Sequence, residues 1–225
     1  MSFGPIMRFT VGELRIELAP LSKEVMSEFI APGMQQLSVR VHTGSWNAPV
    51  LEDEQEYFDK VRKSKDSIVW GIWVLIGDER ILIGVTDIVG FDEGHAKQIL
   101  QATTGSMIFR KEYWGKGIAS AAHKARTWYA FQHLGLHRLK SAVIQSNGGS
   151  SKALSRSGYS LVYTERNEQF IDGSLRHLDC FECINPNDPF WSQWWHGDRP
   201  TKRSLEARKV TREALDWAQE NVDLL

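Results

Sequence analysis

The chain has 225 residues, a length that suits one large domain or two small ones. Its net charge of −1 at pH 7 excludes the global positive field that attracts nucleic acid. The longest apolar run, residues 68–77, is about half as long as a membrane span, and the first ten residues lack the apolar core of a signal sequence. We therefore expect a cytoplasmic protein without a nucleic-acid or membrane partner.

The first half of the chain alternates between strand and helix signals. Residues 10–20 predict a strand or a tight hairpin with Gly12 at the turn, and residues 22–31 predict a helix. The segment that follows is ambiguous as far as Pro49. Residues 52–64 predict a polar helix, because acidic residues begin it and basic residues end it.

Three further strands are predicted before residue 110. They lie at residues 67–77, 80–92 and 97–109, and a hairpin signal at residues 77–79 joins the first two. From Gly115 the apolar residues recur at helical spacing as far as about Leu134.

The second half closes the predicted sheet. Residues 138–145 predict a strand and residues 150–158 a short helix, and two last strands flank a hairpin turn at residues 171–173. Hairpins followed by one strand–helix–strand unit predict an α/β (α+β) fold, with a mixed, mostly antiparallel sheet and helices on both faces.

The composition changes at residue 185. Three prolines and three tryptophans precede a helical pattern, so we expect a C-terminal helical extension at residues 185–225 on a core that ends at residue 184. Trp191, Trp194 and Trp195 lie on one helical face. This face is expected to pack on the core, although an acceptor cleft or a homodimer contact remains open.

The two cysteines, Cys180 and Cys183, have the C-x-x-C spacing of redox and zinc sites. The stretch resembles a strand, in which a three-residue offset points the two side chains to opposite faces. No second cysteine pair or suitably spaced histidine pair accompanies them. We therefore expect no metal.

The stretch FRKEYWGKGIASAAHKA, residues 109–125, places two glycines just before the predicted helix. Helix N-termini carry unpaired N–H groups and a partial positive charge, and glycine lets a ligand approach the backbone closely. These features predict an anion site suited to phosphate. The pattern fails the P-loop motif and fits the dinucleotide fingerprint poorly, since Ser120 stands at its third glycine.

The same stretch resembles the acetyl-CoA motif of the GNAT N-acetyltransferase family, Q/R-x-x-G-x-G/A, and in particular its RimJ/RimL-like branch. A second stretch, NGGSSKALSRSGY, resembles the family pattern in which Asn147, Ser150, Gly158 and Tyr159 match in register. The resemblance covers roughly residues 9–184. Glu112 departs from the Q/R position, which matters little because backbone groups hold the phosphates.

The resemblance implies a GNAT fold, acetyl-CoA as co-substrate and an amine acceptor. It assigns pyrophosphate binding to the backbone of the glycine turn, pantetheine pairing to the preceding strand, phosphate contacts to two cations, and a place in the site to the motif asparagine. The residues are Gly115, Lys116, Gly117, Ile118, Ala119 and Ser120 for the pyrophosphate, Met107, Ile108 and Phe109 for the pantetheine, Arg110 and Lys152 for phosphate, and Asn147.

The branch resemblance also implies catalytic residues. Ser150 is the candidate proton donor to the departing thiolate, with a helix N-cap as its alternative role. The general base stays open among Glu168, Asp87, His177 and a water-mediated route. Two functions follow: an N-acetyltransferase for a protein N-terminus or a small amine, or a GNAT-fold acyl-CoA sensor without turnover.

Overall fold

The computed structural model of the protein describes residues 3–44, 48–90, 100–171 and 173–225. Parts of two predicted strands, at residues 91–92 and 97–99, and Asp172 of the predicted hairpin turn lie outside the described residues.

Within the described residues, nine strands form one sheet. They are β1 (Met7–Val11), β2 (Leu14–Ala19), β3 (Ser67–Ile76), β4 (Glu79–Val89), β5 (Gln101–Ile108), β6 (Arg138–Ile144), β7 (Ser160–Ile171), β8 (Ser174–Ile184) and β9 (Asp223–Leu224).

The strand order is β7-β8-β6-β5-β4-β3-β2-β1-β9. Among the described residues, β5 and β6 pair in parallel and the other neighbouring strands pair antiparallel. The parallel pair is the strand–helix–strand unit, which needs a helical crossover. The prediction of a mixed, mostly antiparallel sheet is therefore confirmed.

In the part of the chain that the structure describes, six α-helices accompany the sheet. They are α1 (Leu37–Arg40), α2 (Leu51–Val61), α3 (Ile118–Trp128), α4 (Gly148–Ser155), α5 (Asp188–Trp195) and α6 (Lys202–Asn221). Short 3₁₀ turns occur at Glu24–Phe29 and Lys111–Tyr113, and π-helical turns at Ile30–Met34 and Tyr129–His133. No described helix has both the length and the apolar character of a membrane span.

Helices cover both faces of the sheet. Ile68 and Trp70 of β3 belong to a core cluster that includes α3 and α6, whereas Val69 and Trp73 belong to a second cluster with α2 and the first 3₁₀ turn. Successive strand residues point to opposite faces, so the apolar run of β3 is buried on both sides. The prediction of helices on both faces is confirmed.

The helix expected at residues 22–31 is shorter than predicted. It is a 3₁₀ helix at Glu24–Phe29, and Ala31 has an extended backbone with φ −122° and ψ 82°. Ala31 precedes Pro32, whose ring disfavours helical geometry at the residue before it. The ambiguous segment that follows contains the short helix α1.

The C-terminal segment packs into the main core. Leu215 and Ala218 of α6 are buried in the cluster that contains α3, and β9 pairs with β1 at the edge of the sheet. Trp191 is buried, and Trp194 and Trp195 are partly buried. The domain boundary at residue 185 stays a prediction, but the residues beyond it share their core with the residues before it.

Gly158, the motif glycine, lies directly against α6, with φ +89°. A Cβ there would lie 2.1 Å from Thr211 Oγ1 and 2.7 Å from Thr211 Cα. We predict that Gly158→Ala destabilises the fold by about 2–4 kcal/mol in urea unfolding, through strain and through displacement of α6. Gly173→Ala is the control, because Gly173 has a similar φ of +71° but no heavy atom lies within 4 Å of an added Cβ. Equal losses for both variants would contradict this account.

Candidate active site

The strands β5 and β6 form a fork. They pair only over Gln101–Thr103 and Arg138–Lys140. Two side-chain hydrogen bonds end the pairing, from Thr104 Oγ1 to the Lys140 carbonyl at 3.0 Å and from Ser141 Oγ to the Thr104 carbonyl at 3.1 Å. Beyond this point, the end of β5 and the residues that follow β6, Ser146 and Asn147, line a cleft.

The cleft has a volume of about 630 Å³. Its walls are the end of β5, the glycine turn with the start of α3, the start of α4, and α1 with the residues that follow it. The lining residues are Val39, His42, Thr43, Ser106, Met107, Ile108, Tyr113, Trp114, Gly115, Gly117, Ile118, Ala119, Ser120, His123, Ser146, Asn147, Gly148, Gly149, Ser150, Lys152, Ala153 and Arg156.

The N-terminus of α3 opens into the cleft. Gly115 and Gly117 have φ +73° and +84°, which glycine adopts without strain. Gly117 is the N-cap, so it has no side chain with which to cap the helix. The first intrahelical bond runs from the Ala121 N–H to the Gly117 carbonyl at 3.1 Å, which leaves the first-turn N–H groups, at residues 118–120, without intrahelical partners. This arrangement can hold an anion.

The N-terminus of α4 is capped by Asn147, whose Oδ1 accepts the Ser150 N–H at 3.1 Å. The N-cap role considered for Ser150 is therefore wrong. Ser150 is the third residue of the helix, and its side chain is partly exposed at the cleft wall. Its hydroxyl makes no hydrogen bond to a described residue and is therefore available to a ligand.

Three residues predicted to contact CoA lie outside the cleft lining: Phe109, Arg110 and Lys116. Phe109 is fully buried against Phe29, and its N–H donates to the Ile83 carbonyl at 3.0 Å. Arg110 pairs with Glu28 at 2.5 Å. Phe109 and Arg110 therefore contact other parts of the fold, and neither is among the proposed CoA contacts.

Other predicted residues differ in how they meet the cleft. Lys116 is exposed, and its ammonium lies 5.6 Å from the centre of the Tyr113 ring. Ile108 lines the cleft, although its carbonyl accepts the Trp114 indole N–H at 2.7 Å. Met107, Asn147 and Lys152 line the cleft, as do all the predicted turn residues except Lys116.

Asp87 lies in β4 beside the fork. Its Oδ1 accepts the Gly105 N–H at 2.6 Å. Burial raises the pKa of Asp87, and the Arg126 guanidinium and the Gly105 N–H oppose this rise. The carboxylate is therefore a stronger base than an exposed aspartate. Asp87 does not line the cleft, but its partner Gly105 directly precedes Ser106, the first β5 residue of the lining.

Glu168 and His177 lie in the β7–β8 hairpin, and neither lines the cleft. Glu168 is exposed, within an irregular stretch between Glu165 and Gln169 where the strand register shifts. His177 Nδ1 accepts the Asn167 N–H at 3.0 Å, which supports this irregularity. Because the register shifts here, strict alternation of side chains does not determine which face Glu168 occupies.

Twelve lining residues were not predicted from the sequence, and His42, Thr43, His123 and Arg156 are among them. His42 and Thr43 fell in the ambiguous segment. Arg156 follows Lys152 by four residues and therefore shares its helical face, which was a usable signal. His123 interrupts the apolar helical pattern after Gly115, and such an interruption is a second usable signal.

The cysteines lie on opposite faces of β8, as expected. Cys180 is partly exposed and Cys183 is buried. Burial raises the pKa of Cys183 to about 12, so its thiol stays protonated. Within the described ranges, no group of three or more histidine, cysteine or acidic side chains could hold a metal ion.

The family described as "Acetyltransferase (GNAT) domain" matches residues 15–160. The chain belongs to this GNAT family. A relative with the name "Probable N-acetyltransferase YjcK", from Bacillus subtilis (strain 168), is 28% identical over 133 residues, which cover 59% of this chain and 70% of that protein.

Solved structures share the GNAT fold. Mycobacterium smegmatis RimJ in complex with CoA-disulfide has a TM-score of 0.66 at 16% identity, over 93% of this chain and 94% of that one. Vibrio cholerae spermidine N-acetyltransferase in complex with CoA and spermine also has a TM-score of 0.66 at 16% identity, over 76% and 95%. The GNAT fold and the family membership predicted from the sequence are confirmed, and the chain is an acyltransferase.

Proposed function

We propose that this GNAT protein transfers an acetyl group from acetyl-CoA to a primary amine, on a protein N-terminus or a small molecule, by direct attack. The observation that carries the proposal is the cleft beyond the β5–β6 fork, which lies between the end of β5 and the start of α4 and includes the open N-terminus of α3. The CoA molecules in the two related structures described above support the choice of co-substrate.

The residues of the cleft fit CoA. The N–H groups of Ile118, Ala119 and Ser120 would hold the pyrophosphate, and the positive-φ glycines would let it approach. The β5 end at Met107 and Ile108 would pair with the pantetheine arm. Lys152, and also Arg156, would contact phosphate from the α4 side. The pyrophosphate is thus held mainly by backbone groups, with cations contributing less.

Acetyl-CoA supplies a thioester, whose carbonyl carbon is open to attack by an amine. A backbone N–H at the end of β5 would polarise the thioester oxygen. As the new C–N bond forms and the C–S bond breaks, Ser150 would give its proton to the departing thiolate and recover one from solvent. No covalent enzyme intermediate is needed.

The base assignment favours Asp87 over Glu168. Burial raises the pKa of Asp87, which brings the carboxylate closer to the basicity that proton removal from an ammonium needs. Asp87 also accepts the N–H of Gly105, which directly precedes the β5 residues that line the cleft. Glu168 is exposed in the hairpin and remains the second candidate.

The acceptor would enter beside α1 and the residues that follow it. Val39, His42 and Thr43 line the cleft there, and a Cβ on Gly44 would lie 2.9 Å from Oε1 of Gln169 in the β7–β8 hairpin. These groups are neither strongly acidic nor strongly basic, so they leave protein N-termini and small amines both open. The sequence motifs favour the RimJ/RimL-like branch.

A thiol-release assay with acetyl-CoA and a panel of amines and N-terminal peptides tests the proposal. We expect release of free CoA that depends on the amine, with stoichiometric acetylated amine found by mass spectrometry. Tight CoA binding without turnover on any acceptor would instead support the acyl-CoA sensor. Absence of CoA binding would overturn both functions.

A further inference from the structure

Helix α3 carries two polar side chains on the face that packs against the sheet. His123 is 3% exposed and Arg126 is 0% exposed. Their neighbours Ala122 and Ala125 are fully buried in the main apolar cluster. Burying a guanidinium in such surroundings is costly unless its donors are satisfied, so the pair calls for a physical explanation.

Arg126 directs its donors to both the fork and His123. Its Nη1 donates to the Gly105 carbonyl at 2.6 Å and to Thr86 Oγ1 at 2.7 Å. Its Nη2 lies 2.7 Å from His123 Nδ1 and 3.5 Å from the Tyr159 hydroxyl. Arg126 therefore connects the first residue beyond the fork to the imidazole.

This contact sets the tautomer of His123. A guanidinium only donates, so His123 Nδ1 must accept, and the ring hydrogen is then on Nε2. Burial lowers the pKa of His123 well below its ordinary value, and the Arg126 charge lowers it further. The ring is therefore a neutral N–H donor. In the part of the chain that the structure describes, Nε2 has no hydrogen-bond partner.

The position of His123 indicates which part of a ligand it meets. It lines the cleft one turn beyond the first-turn N–H groups of α3, about 5–8 Å further along the helix axis. On the other side, Arg126 links it to Gly105 at the fork. His123 therefore lies between the anion site and the part of β5 beside Gly105, where the pantetheine arm would run.

We propose that His123 Nε2–H donates a hydrogen bond to an amide carbonyl of the pantetheine arm, and that Arg126 is the positioning residue that holds it in this tautomer. The inference rests on the proposed use of CoA. A neutral donor suits an amide carbonyl, whereas the backbone N–H groups and the cations serve the phosphates.

Calorimetry with two ligands tests the proposal: CoA, and 3′-phospho-ADP, which is CoA without its pantetheine arm. We expect His123→Leu to weaken CoA binding about tenfold and to leave 3′-phospho-ADP binding unchanged. His123→Gln, which keeps an N–H donor, should restore most of the loss. Equal loss for both ligands, or no loss for CoA, would overturn the proposal. Wild-type protein that binds neither ligand would instead overturn the proposed function.

Nitrogen-15 NMR of the wild-type protein provides a test that does not depend on variants that fold. The free protein should show His123 as the neutral Nε2–H tautomer near pH 7, and the Nε2–H resonance should shift with CoA but not with 3′-phospho-ADP. A protonated ring, the Nδ1–H tautomer, or identical shifts with the two ligands would contradict the proposal.

Discussion

Ser150→Ala is expected to lower kcat by about 10²–10⁴-fold while the KM for acetyl-CoA changes little. Loss of a general acid has an effect of this size because the thiolate must then leave unprotonated. Steady-state kinetics with the best acceptor from the amine panel measures it. All variants are assayed with the same acceptor at a saturating concentration, so that their kcat values report on the same reaction.

The structure supplies matched controls for Ser150. Ser151, its neighbour on α4, donates its hydroxyl to the Asn147 carbonyl at 3.4 Å, and Ser151→Ala should leave kcat within about threefold of the wild type. Because Asn147 caps the helix, Asn147→Ala should cost about 1 kcal/mol of stability, whereas Ser150→Ala should cost less than about 0.5 kcal/mol. A Ser150→Ala variant that is destabilised but retains its kcat would show that the hydroxyl is structural.

Gly117→Val should weaken CoA binding by about 100-fold or more. Gly117 has φ +84°, a conformation that costs a side-chain-bearing residue about 1–2 kcal/mol, and a branched residue more. A Cβ would lie 3.5 Å from Val11 Cγ1, an ordinary contact, so the effect comes from the backbone and from the blocked ligand approach. Lys116→Ala should cost less than about threefold, because its charge is exposed and screened.

Gly77→Val is the control for strain alone. Gly77 lies in the β3–β4 hairpin with φ +57° and no heavy atom within 4 Å of an added Cβ. It should lose stability like Gly117→Val but keep its CoA affinity, as measured by calorimetry on folded protein. Similar, small affinity losses for Gly117→Val and Lys116→Ala would remove the pyrophosphate from the α3 N-terminus.

Much of the fold could be predicted because the local signals agree with the tertiary structure. The hairpin at Gly12 and the helix after Gly117 both follow from glycines at turns and from apolar periodicity. The 3₁₀ turn before Pro32 was harder to predict from the sequence, because its apolar residues have the spacing of an α-helix. The proline ends the helix early.

The site was predicted less completely, for reasons of tertiary contact. Phe109 and Arg110 precede the motif glycines in sequence, but the Phe109 N–H bonds to the Ile83 carbonyl and the Arg110 side chain pairs with Glu28. The role of Gly158 depends on α6, which returns to the motif from more than fifty residues downstream. Arg126 fixes the tautomer of His123, and its hydrogen bond to the Gly105 carbonyl depends on how α3 packs across β5.

The central claim is that CoA lies in the cleft beyond the fork, with its pyrophosphate at the N-terminus of α3 and its pantetheine arm along the end of β5. A crystal structure of the protein with CoA tests it most directly. We expect pyrophosphate oxygens within hydrogen-bonding distance of the N–H groups of Ile118, Ala119 or Ser120, and the pantetheine arm between β5 and β6. CoA bound elsewhere, or a pyrophosphate that contacts side chains alone while these N–H groups face solvent, would contradict the account.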